Sequence, residues 1–491
     1  MQTPTYSRAD LDPADWAAFR HTAHHAVDQG LDHLQRRREA RVWTPMPEAL
    51  RSHMAQPLTE EPTPLQDILD EFFRDILPHS MGNDHPRFFG WYMGGSTASG
   101  ALADFLAAID ASNLGGGDTA AAAIDTQVCR WLVHAMGFPA QASASLVSSG
   151  SLANLVALAV SRNAMAGVDV RELGITQLPQ ALVFYGSHEV HSSSQKAIET
   201  LGLGHRALRK VPVDAALRMD LVALERMVAE DRAAGRKPSC VIGTAGTTST
   251  GSIDNLNALA DFCQQHQMWL HVDGAIGAVL KLSSRHAGLV AGLERADSVA
   301  LDLHKWAQVP FACGAAIVRD GEAHFATFNL HPPYLQEQTR GLAAAPFLAD
   351  RSLDLTRGFI ALKVWMAIRE HGRVGLARLI DHQIALAANL AAQLQADPQF
   401  ELTAPQVLNV VCYRHRGLLG MCEDEIVAFN TELMLRIQES GVAVPTDTTV
   451  GGRFTLRAAL VNHRVQAQDV NLFVETLQHH AATLLQESVQ R

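Results

Sequence analysis

The chain has 491 residues, 47% hydrophobic and 19% charged, a balance that suits a water-soluble protein of more than one domain with a large core. Its 40 basic and 51 acidic residues leave a formal charge of −11 without a basic run, which argues against nucleic acid and membrane surfaces as partners. Six cysteines with no CxxC pair, no apolar stretch of membrane-spanning length and no signal-peptide pattern point to a cytoplasmic protein with reduced thiols.

Residues 14–38 carry the spacing of an amphipathic helix. Within it His21 and His25 stand i, i+4 apart, as a helical metal pair would, but no third ligand accompanies them. A solvated face is therefore expected there, and no metal is assigned. The proline-rich stretch 44–64 reads as an extended connection. Such an arm has little core of its own and needs another surface, a second subunit, to pack on. In the middle third, short apolar runs at 181–185, 240–244, 269–273, 298–301 and 314–318 alternate with helical patterns. They predict a mostly parallel sheet covered on both faces. The last two runs are close enough to form an antiparallel or edge pair. A long helix is expected over 358–396. Strands at 407–413 and 453–459 then flank a helix at 422–440, and a last helix covers 467–487. The domain reading is an N-terminal arm at 1–98, a large α/β domain at 99–370 and a small α+β domain at 371–491.

Ligands of open α/β sheets bind beyond the carboxyl ends of the strands, so the polar residues there carry the chemistry. The first run is followed by His188, Glu189 and His191-Ser192-Ser193, and the second by Gly246-Thr247-Thr248. Asp273 ends the third, and Asp302-Leu303-His304-Lys305-Trp306 follows the fourth. Singly, such a carboxylate is a turn residue, such a lysine is solvated and such a histidine is structural. Together and in this order they are what a pyridoxal phosphate site needs. An amine forms the Schiff base, a carboxylate keeps the pyridine nitrogen protonated, and a flat side chain stacks on the ring. A serine- and glycine-rich helix N-terminus binds the phosphate, and Ser148-Ser149-Gly150-Ser151 fits that need.

Further motifs accompany these: His85-Pro86-Arg87-Phe88-Phe89, Ala153-Asn154-Leu155, Asp254-Asn255-Leu256, His271-Val272-Asp273 and Ala296-Asp297-Ser298. From about His85 onward the sequence resembles the group II pyridoxal phosphate-dependent decarboxylases, the family of aromatic-L-amino-acid, histidine, glutamate and tyrosine decarboxylases. The resemblance implies fold type I of the pyridoxal phosphate-dependent transferases, which is aspartate aminotransferase-like. That means a mostly parallel seven-stranded sheet with helices on both faces, an N-terminal helical arm, a small α+β C-terminal domain, and a homodimer. It implies Lys305 as the Schiff-base lysine, Asp273 on the pyridinium nitrogen, and His191 stacked on the ring and aligning the substrate carboxylate. Gly150 and Ser151 would bind phosphate with His304 close by, and Thr248 and Ala275 would contact the ring. Tyr334 would protonate the quinonoid carbon after CO2 leaves. Related aldehyde synthases carry phenylalanine at that tyrosine, so Tyr334 favours simple decarboxylation.

Departures from the family pattern are visible too. Asp302-Leu303 stands where Asn-Pro is usual and brings a carboxylate to the phosphate side, Leu152 replaces a common glutamate, and Asp118-Thr119-Ala120-Ala121-Ala122 replaces a Ser-Pro-Ala-x-Thr segment. Phe88, Trp91, Tyr92, Met93 and Leu335 are the candidate substrate pocket, apolar and aromatic, which suits an aromatic or bulky apolar amino acid. Arg87 and Arg357 are the candidates for an acidic substrate such as glutamate or aspartate. Other readings are an aldehyde synthase, transaminase or lyase on the same fold, or a catalytically silent homologue; intact Lys305, Asp273 and His191 argue against the last.

Overall fold

The structure, a computed structural model, describes residues 11–330 and 338–490, with side chains to 487. Its contacts divide the chain into two units, Met1–Gly82 and Asn83–Arg491.

In the first unit the helix Trp16–Arg36 is started by Asp15, whose Oδ1 accepts from the Ala17 and Ala18 N–H groups at 2.9 and 3.0 Å. It buries none of its side chains within this chain, and Trp16, Phe19, Val27 and Leu31 are exposed. The stretch 44–64 is not wholly extended: Pro47 stands at the N-cap of a short helix, Glu48–Met54. The residue before a helix needs no N–H of its own, so this proline punctuates the chain rather than stretching it.

The second unit is built on a seven-stranded sheet among the described residues. Its strands are β1 Ser143–Val147, β2 Leu182–Ser187, β3 Leu208–Val211, β4 Lys237–Thr244, β5 Trp269–Asp273, β6 Ser298–Asp302 and β7 Gly314–Val318. They lie in the order β1-β7-β6-β5-β4-β2-β3. The neighbours from β6 to β3 are parallel, while β7 is antiparallel to both β6 and β1. The expected antiparallel pair is therefore present, but it is interior, because β1 closes the outer side of β7. Strands β2, β5, β6 and β7 are buried along their whole length, as a sheet covered on both faces requires. The short edge strand β3, Leu-Arg-Lys-Val, buries only its two ends and gives no apolar run to read. Register sets the site: Thr244 pairs with Asp273 and Asp302 with Gly314, so the polar residues ending β4, β5 and β6 share one edge.

The helix Ile360–Ala396 leaves this sheet and breaks direction at Gly372, whose φ of 61° favours glycine. A four-stranded antiparallel sheet follows, with β8 Phe400–Leu402, β9 Val410–His415, β10 Thr446–Val450 and β11 Arg453–Ala459 in the order β10-β11-β9-β8. The helices Glu423–Ser440 and Ala467–Gln490 contribute Leu433, Ile437 and Phe473 to its core. Phe89 is buried in that core and Phe88 bridges to Val444, so the segment after residue 83 begins against the C-terminal sheet. No helix among the described residues is long and apolar enough to cross a membrane.

Candidate active site

A cavity of about 240 Å3 opens at the carboxyl ends of β4, β5 and β6. Its wall includes every residue expected to meet the cofactor: Gly150, Ser151, His191, Thr248, Asp273, Ala275, Asp302, His304 and Lys305. It also includes Asn154, Glu189, Ser193 and Thr244, which sequence reading had not assigned a role at the cofactor. Asn154 is four residues after Gly150 on the helix Gly150–Met165, one turn deeper on the same face.

Asp273 ends β5 and is 5% exposed. Its Oδ1 accepts from the Ala275 N–H at 3.1 Å and its Oδ2 from Asn154 Nδ2 at 3.1 Å. Behind it runs a chain of hydrogen bonds with a single direction. The Trp269 indole, which can only donate, gives its hydrogen to Ser298 Oγ at 2.8 Å. Asn154 Oδ1 can only accept, so His271 donates to it from Nε2 at 2.8 Å, and the unprotonated Nδ1 of the neutral ring accepts from Ser298 Oγ at 2.9 Å. The Asn154 amide group is thereby oriented, and donates to Asp273 and to Ser193 Oγ at 3.0 Å. Ser193 passes its own hydrogen to His191 Nδ1 at 2.8 Å, and its backbone N–H donates to the same nitrogen. His191 therefore carries its ring proton on Nε2. Burial pushes the His271 imidazole down to about 4, so it stays neutral in this chain. Partial burial lowers His191 too, opposed by the Asp273 charge.

Lys305 lies in the turn after β6, its Nζ 2.9 Å from Asp302 Oδ2. His304 Nδ1 is 2.7 Å from the Cys313 carbonyl oxygen, and its ring lies on Phe311 with centroids 4.5 Å apart. The turn is pinned by a residue that sequence reading missed. Gln308 is 2% exposed and sits at a φ of 59°, in the left-handed region. Its Nε2 donates to the Lys305 carbonyl at 3.1 Å and to the Val461 carbonyl at 2.7 Å, and its Oε1 accepts from the Gly95 N–H at 3.0 Å. A Cβ on Gly94 would stand 2.5 Å from the Lys305 carbonyl oxygen, so only glycine lets this strand of chain pass. Trp306 donates to Gln383 Oε1 at 2.5 Å, and Gln383 in turn donates to the Val461 carbonyl.

The 16-residue helix Gly150–Met165 begins at the cavity. Ser149 caps it by accepting from the Leu152 N–H at 3.3 Å, which leaves the Gly150 and Ser151 N–H groups at the positive end of the helix. This residue set fits pyridoxal phosphate: an amine, a carboxylate held by neutral donors, a neutral imidazole and an anion-binding helix end. Among the described residues the buried Thr244 Oγ1 of the wall has no hydrogen-bond partner, as befits a cavity that receives a polar ligand.

The proposed substrate pocket is placed otherwise. Phe88, Trp91, Tyr92 and Met93 do not line this cavity. Phe88 and Tyr92 are buried, and the Tyr92 hydroxyl is spent on Asn409 Oδ1 at 2.7 Å. Trp91 is half exposed, and Met93 is partly buried between them. Tyr334 and Leu335 lie outside the described residues. The two arginines considered for an acidic substrate are engaged elsewhere, Arg87 with Asp469 at 3.2 Å and Arg357 with Asp125 at 3.3 Å.

A third arginine is not engaged in this way. Arg457 on β11 is 2% exposed and forms no ion pair among the described residues. It donates through Nη2 to the carbonyl of Thr248, a wall residue, at 2.6 Å and through Nη1 to Thr446 Oγ1 at 3.4 Å. Its Nε has no hydrogen-bond partner among the described residues, and burial lowers its pKa. An arginine within a strand gives no motif, so sequence reading took it only as part of the strand.

Residues 47–416 match the model of the pyridoxal-dependent decarboxylase conserved domain. The aromatic-L-amino-acid decarboxylase of Bacillus atrophaeus is 30% identical over 457 residues, covering 92% of this chain and 93% of that protein. The enzyme of the same name from Sus scrofa is 30% identical over 482 residues, 95% of this chain and 97% of that one. Among solved structures, Oryza sativa TDC with PLP and tryptamine superposes with a TM-score of 0.89 at 24% identity, over 97% of this chain and 100% of that one. Mouse CSAD gives 0.88 at 25% identity, over 95% and 99%.

Proposed function

Because this chain belongs to the pyridoxal-dependent decarboxylases, we propose that it converts an aromatic or bulky apolar L-amino acid to the corresponding amine and CO2. The observation that carries the reading is the convergence of Lys305, Asp273 and His191 on one cavity beside a helix N-terminus. When bound, pyridoxal phosphate supplies a carbonyl carbon for an amine and a protonated ring that takes up the electron pair left at the α-carbon.

The residues then take these roles. Lys305 is the residue that would hold the cofactor, through its amine. Asp273, fixed by Asn154 and Ala275, holds the proton on the ring nitrogen. His191 lays a neutral ring against the cofactor and keeps an Nε2–H to donate to the substrate carboxylate. The Gly150 and Ser151 N–H groups hold the phosphate, with His304 near it, and Thr248 and Ala275 touch the ring. Arg457 stands behind the wall and holds the Thr248 carbonyl, which fixes Thr248 at the cavity. Tyr334 would supply the proton that takes the place of CO2 on the α-carbon.

The aromatic preference is supported by the names of the relatives. The protein is read as a cytoplasmic homodimer, with the arm at 1–98, the large domain at 99–370 and the small domain at 371–491. All six cysteines are free thiols, in keeping with a reducing compartment. The helix Ala98–Asp110 exposes Leu102, Phe105, Leu106 and Ile109, one apolar stripe suited to a second subunit.

An amine-release screen of the L-amino acids with added cofactor tests the activity. Equimolar amine and CO2 from an aromatic substrate, absent in Lys305→Ala, is the expected result. Ammonia or a keto acid in place of the amine would move the protein to another reaction of the fold.

A further inference from the structure

Lys305 and Asp302 are three residues apart, and their side chains are 18% and 4% exposed. The carboxylate is boxed in. A Cβ added to Gly150 would stand 2.6 Å from Asp302 Oδ2, and one added to Gly314 would stand 3.0 Å from Oδ1. His304 Nδ1 is 3.6 Å from Oδ1, beyond hydrogen-bond reach, and faces the Cys313 carbonyl oxygen at 2.7 Å. Among the described residues Asp302 Oδ1 therefore has no hydrogen-bond partner, and the charge of Asp302 is matched through Oδ2 by Lys305 Nζ at 2.9 Å. A buried carboxylate that spends one oxygen on a single lysine, and cannot turn to another partner, fixes where that lysine points.

We propose that Asp302 is a positioning residue that parks the Lys305 ammonium at the Gly150 end of the cavity whenever the amine is not attached to the cofactor. This holds before the cofactor arrives and while the substrate amine has taken the place of Lys305. The proposal rests on the pyridoxal phosphate reading, and it replaces the expectation that Asp302 is a direct cofactor contact. Parking has a consequence for capture: the ammonium must leave Asp302 and give a proton to solvent before its nitrogen has an electron pair to attack a carbonyl carbon, so the pair slows capture while keeping the ammonium in one place.

The test uses cofactor-free protein, wild type and Asp302→Asn, which keeps the shape and removes the charge. Lys305 is labelled with an amine-reactive reagent and quantified by peptide mass spectrometry against the exposed Lys196. Capture of pyridoxal phosphate and of phosphate-free pyridoxal is followed by stopped-flow absorbance. In the variant, Lys305 labelling should rise on the order of tenfold, the worth of one charge-assisted hydrogen bond. Capture of both aldehydes should quicken by a common factor. Unchanged labelling overturns the proposal, and so does acceleration confined to pyridoxal phosphate, which would place Asp302 in repulsion with the phosphate instead. Should the variant not fold, the wild type decides: Lys305 must label more slowly than Lys196, with little response to salt, because a buried pair is poorly screened. Failure of the wild type to take up pyridoxal phosphate would sink the cofactor reading itself. Uptake by both proteins with equal labelling would sink only the parking role.

Discussion

Two carboxylates end neighbouring strands of one sheet, Asp273 on β5 and Asp302 on β6, and both are buried. They are held in opposite ways. Asp273 has a neutral donor on each oxygen and no ion pair among the described residues. Asp302 has a cation of its own chain on one oxygen and, among the described residues, no hydrogen-bond partner on the other. A carboxylate stabilised by neutral dipoles keeps its charge available for a cation that a ligand brings. One matched by a lysine of the chain does not, but it can hold and release that lysine. The first arrangement suits a counter-charge that keeps a ring nitrogen protonated, and the second suits a group that changes partners.

The comparison can be broken at several points. The largest effect is expected at Asp273. Asp273→Asn keeps its shape but removes the charge, and kcat should fall by about 10²–10³, the scale of one preorganised electrostatic group. A loss no larger than that of Asp302→Asn would erase the distinction between the two. Next comes the lysine turn. Gln308→Leu unpins the Lys305 and Val461 carbonyls and the Gly95 N–H together, so kcat should drop about tenfold, the worth of one or two lost hydrogen bonds near the chemistry. Gln308→Glu, with an oxygen facing those carbonyls, should do no better.

A smaller effect is expected behind Asp273. His271→Asn breaks the relay at its centre, and kcat should fall severalfold while KM stays near the wild-type value, because Asp273 and His191 lose orientation rather than chemistry. The pH response gives the relay away. His271 is held at about 4 against an ordinary 6.5. Its folded pKa is lowered, so below 6.5 the unfolded chain takes up the proton that the folded chain refuses. Stability contributed by neutral His271 is then complete above pH 6.5 and is lost as pH falls from 6.5 towards 4. Melting temperature measured across that window should fall less steeply with acid in His271→Asn, by about one proton's worth of slope. Parallel curves for the two proteins would contradict a buried neutral His271.

The smallest change in the folded chain is expected far from both carboxylates. Phe105→Asp lies on an exposed face, so the protomer should lose little stability, within about 0.5 kcal/mol. Sedimentation should nonetheless show the dimer weakened, and an unaltered dimer would remove this helix from the interface.

The cavity was legible because its residues sit in short contiguous motifs at successive strand ends. Lys305 with His304, His271 with Asp273, and His191 with Ser193 each announce themselves locally. The parts that orient them do not. Asn154 meets His271 across 117 positions, Gln308 meets Val461 across 153, and Arg457 meets Thr248 across 209. Pairings of that range are set by how the sheets stack, and a glutamine or an arginine in isolation carries no trace of them. The edge strands β1 and β3 escaped for a related reason: Ser143 and Ser145 interrupt the apolar run of β1, although all but its first residue are buried, and Arg209 and Lys210 interrupt that of β3. The aromatic segment around Trp91 read as a pocket wall because aromatic composition alone does not distinguish a wall from a core.

The central claim is that Lys305, released from Asp302, is where the cofactor is held. Borohydride reduction of the protein loaded with pyridoxal phosphate, followed by peptide mass spectrometry, tests it most directly. The account predicts a pyridoxyl group on Lys305 in nearly every chain and none on Lys196, Lys210 or Lys363. A stable, stoichiometric adduct on any other lysine, or none at all in loaded protein, would contradict it.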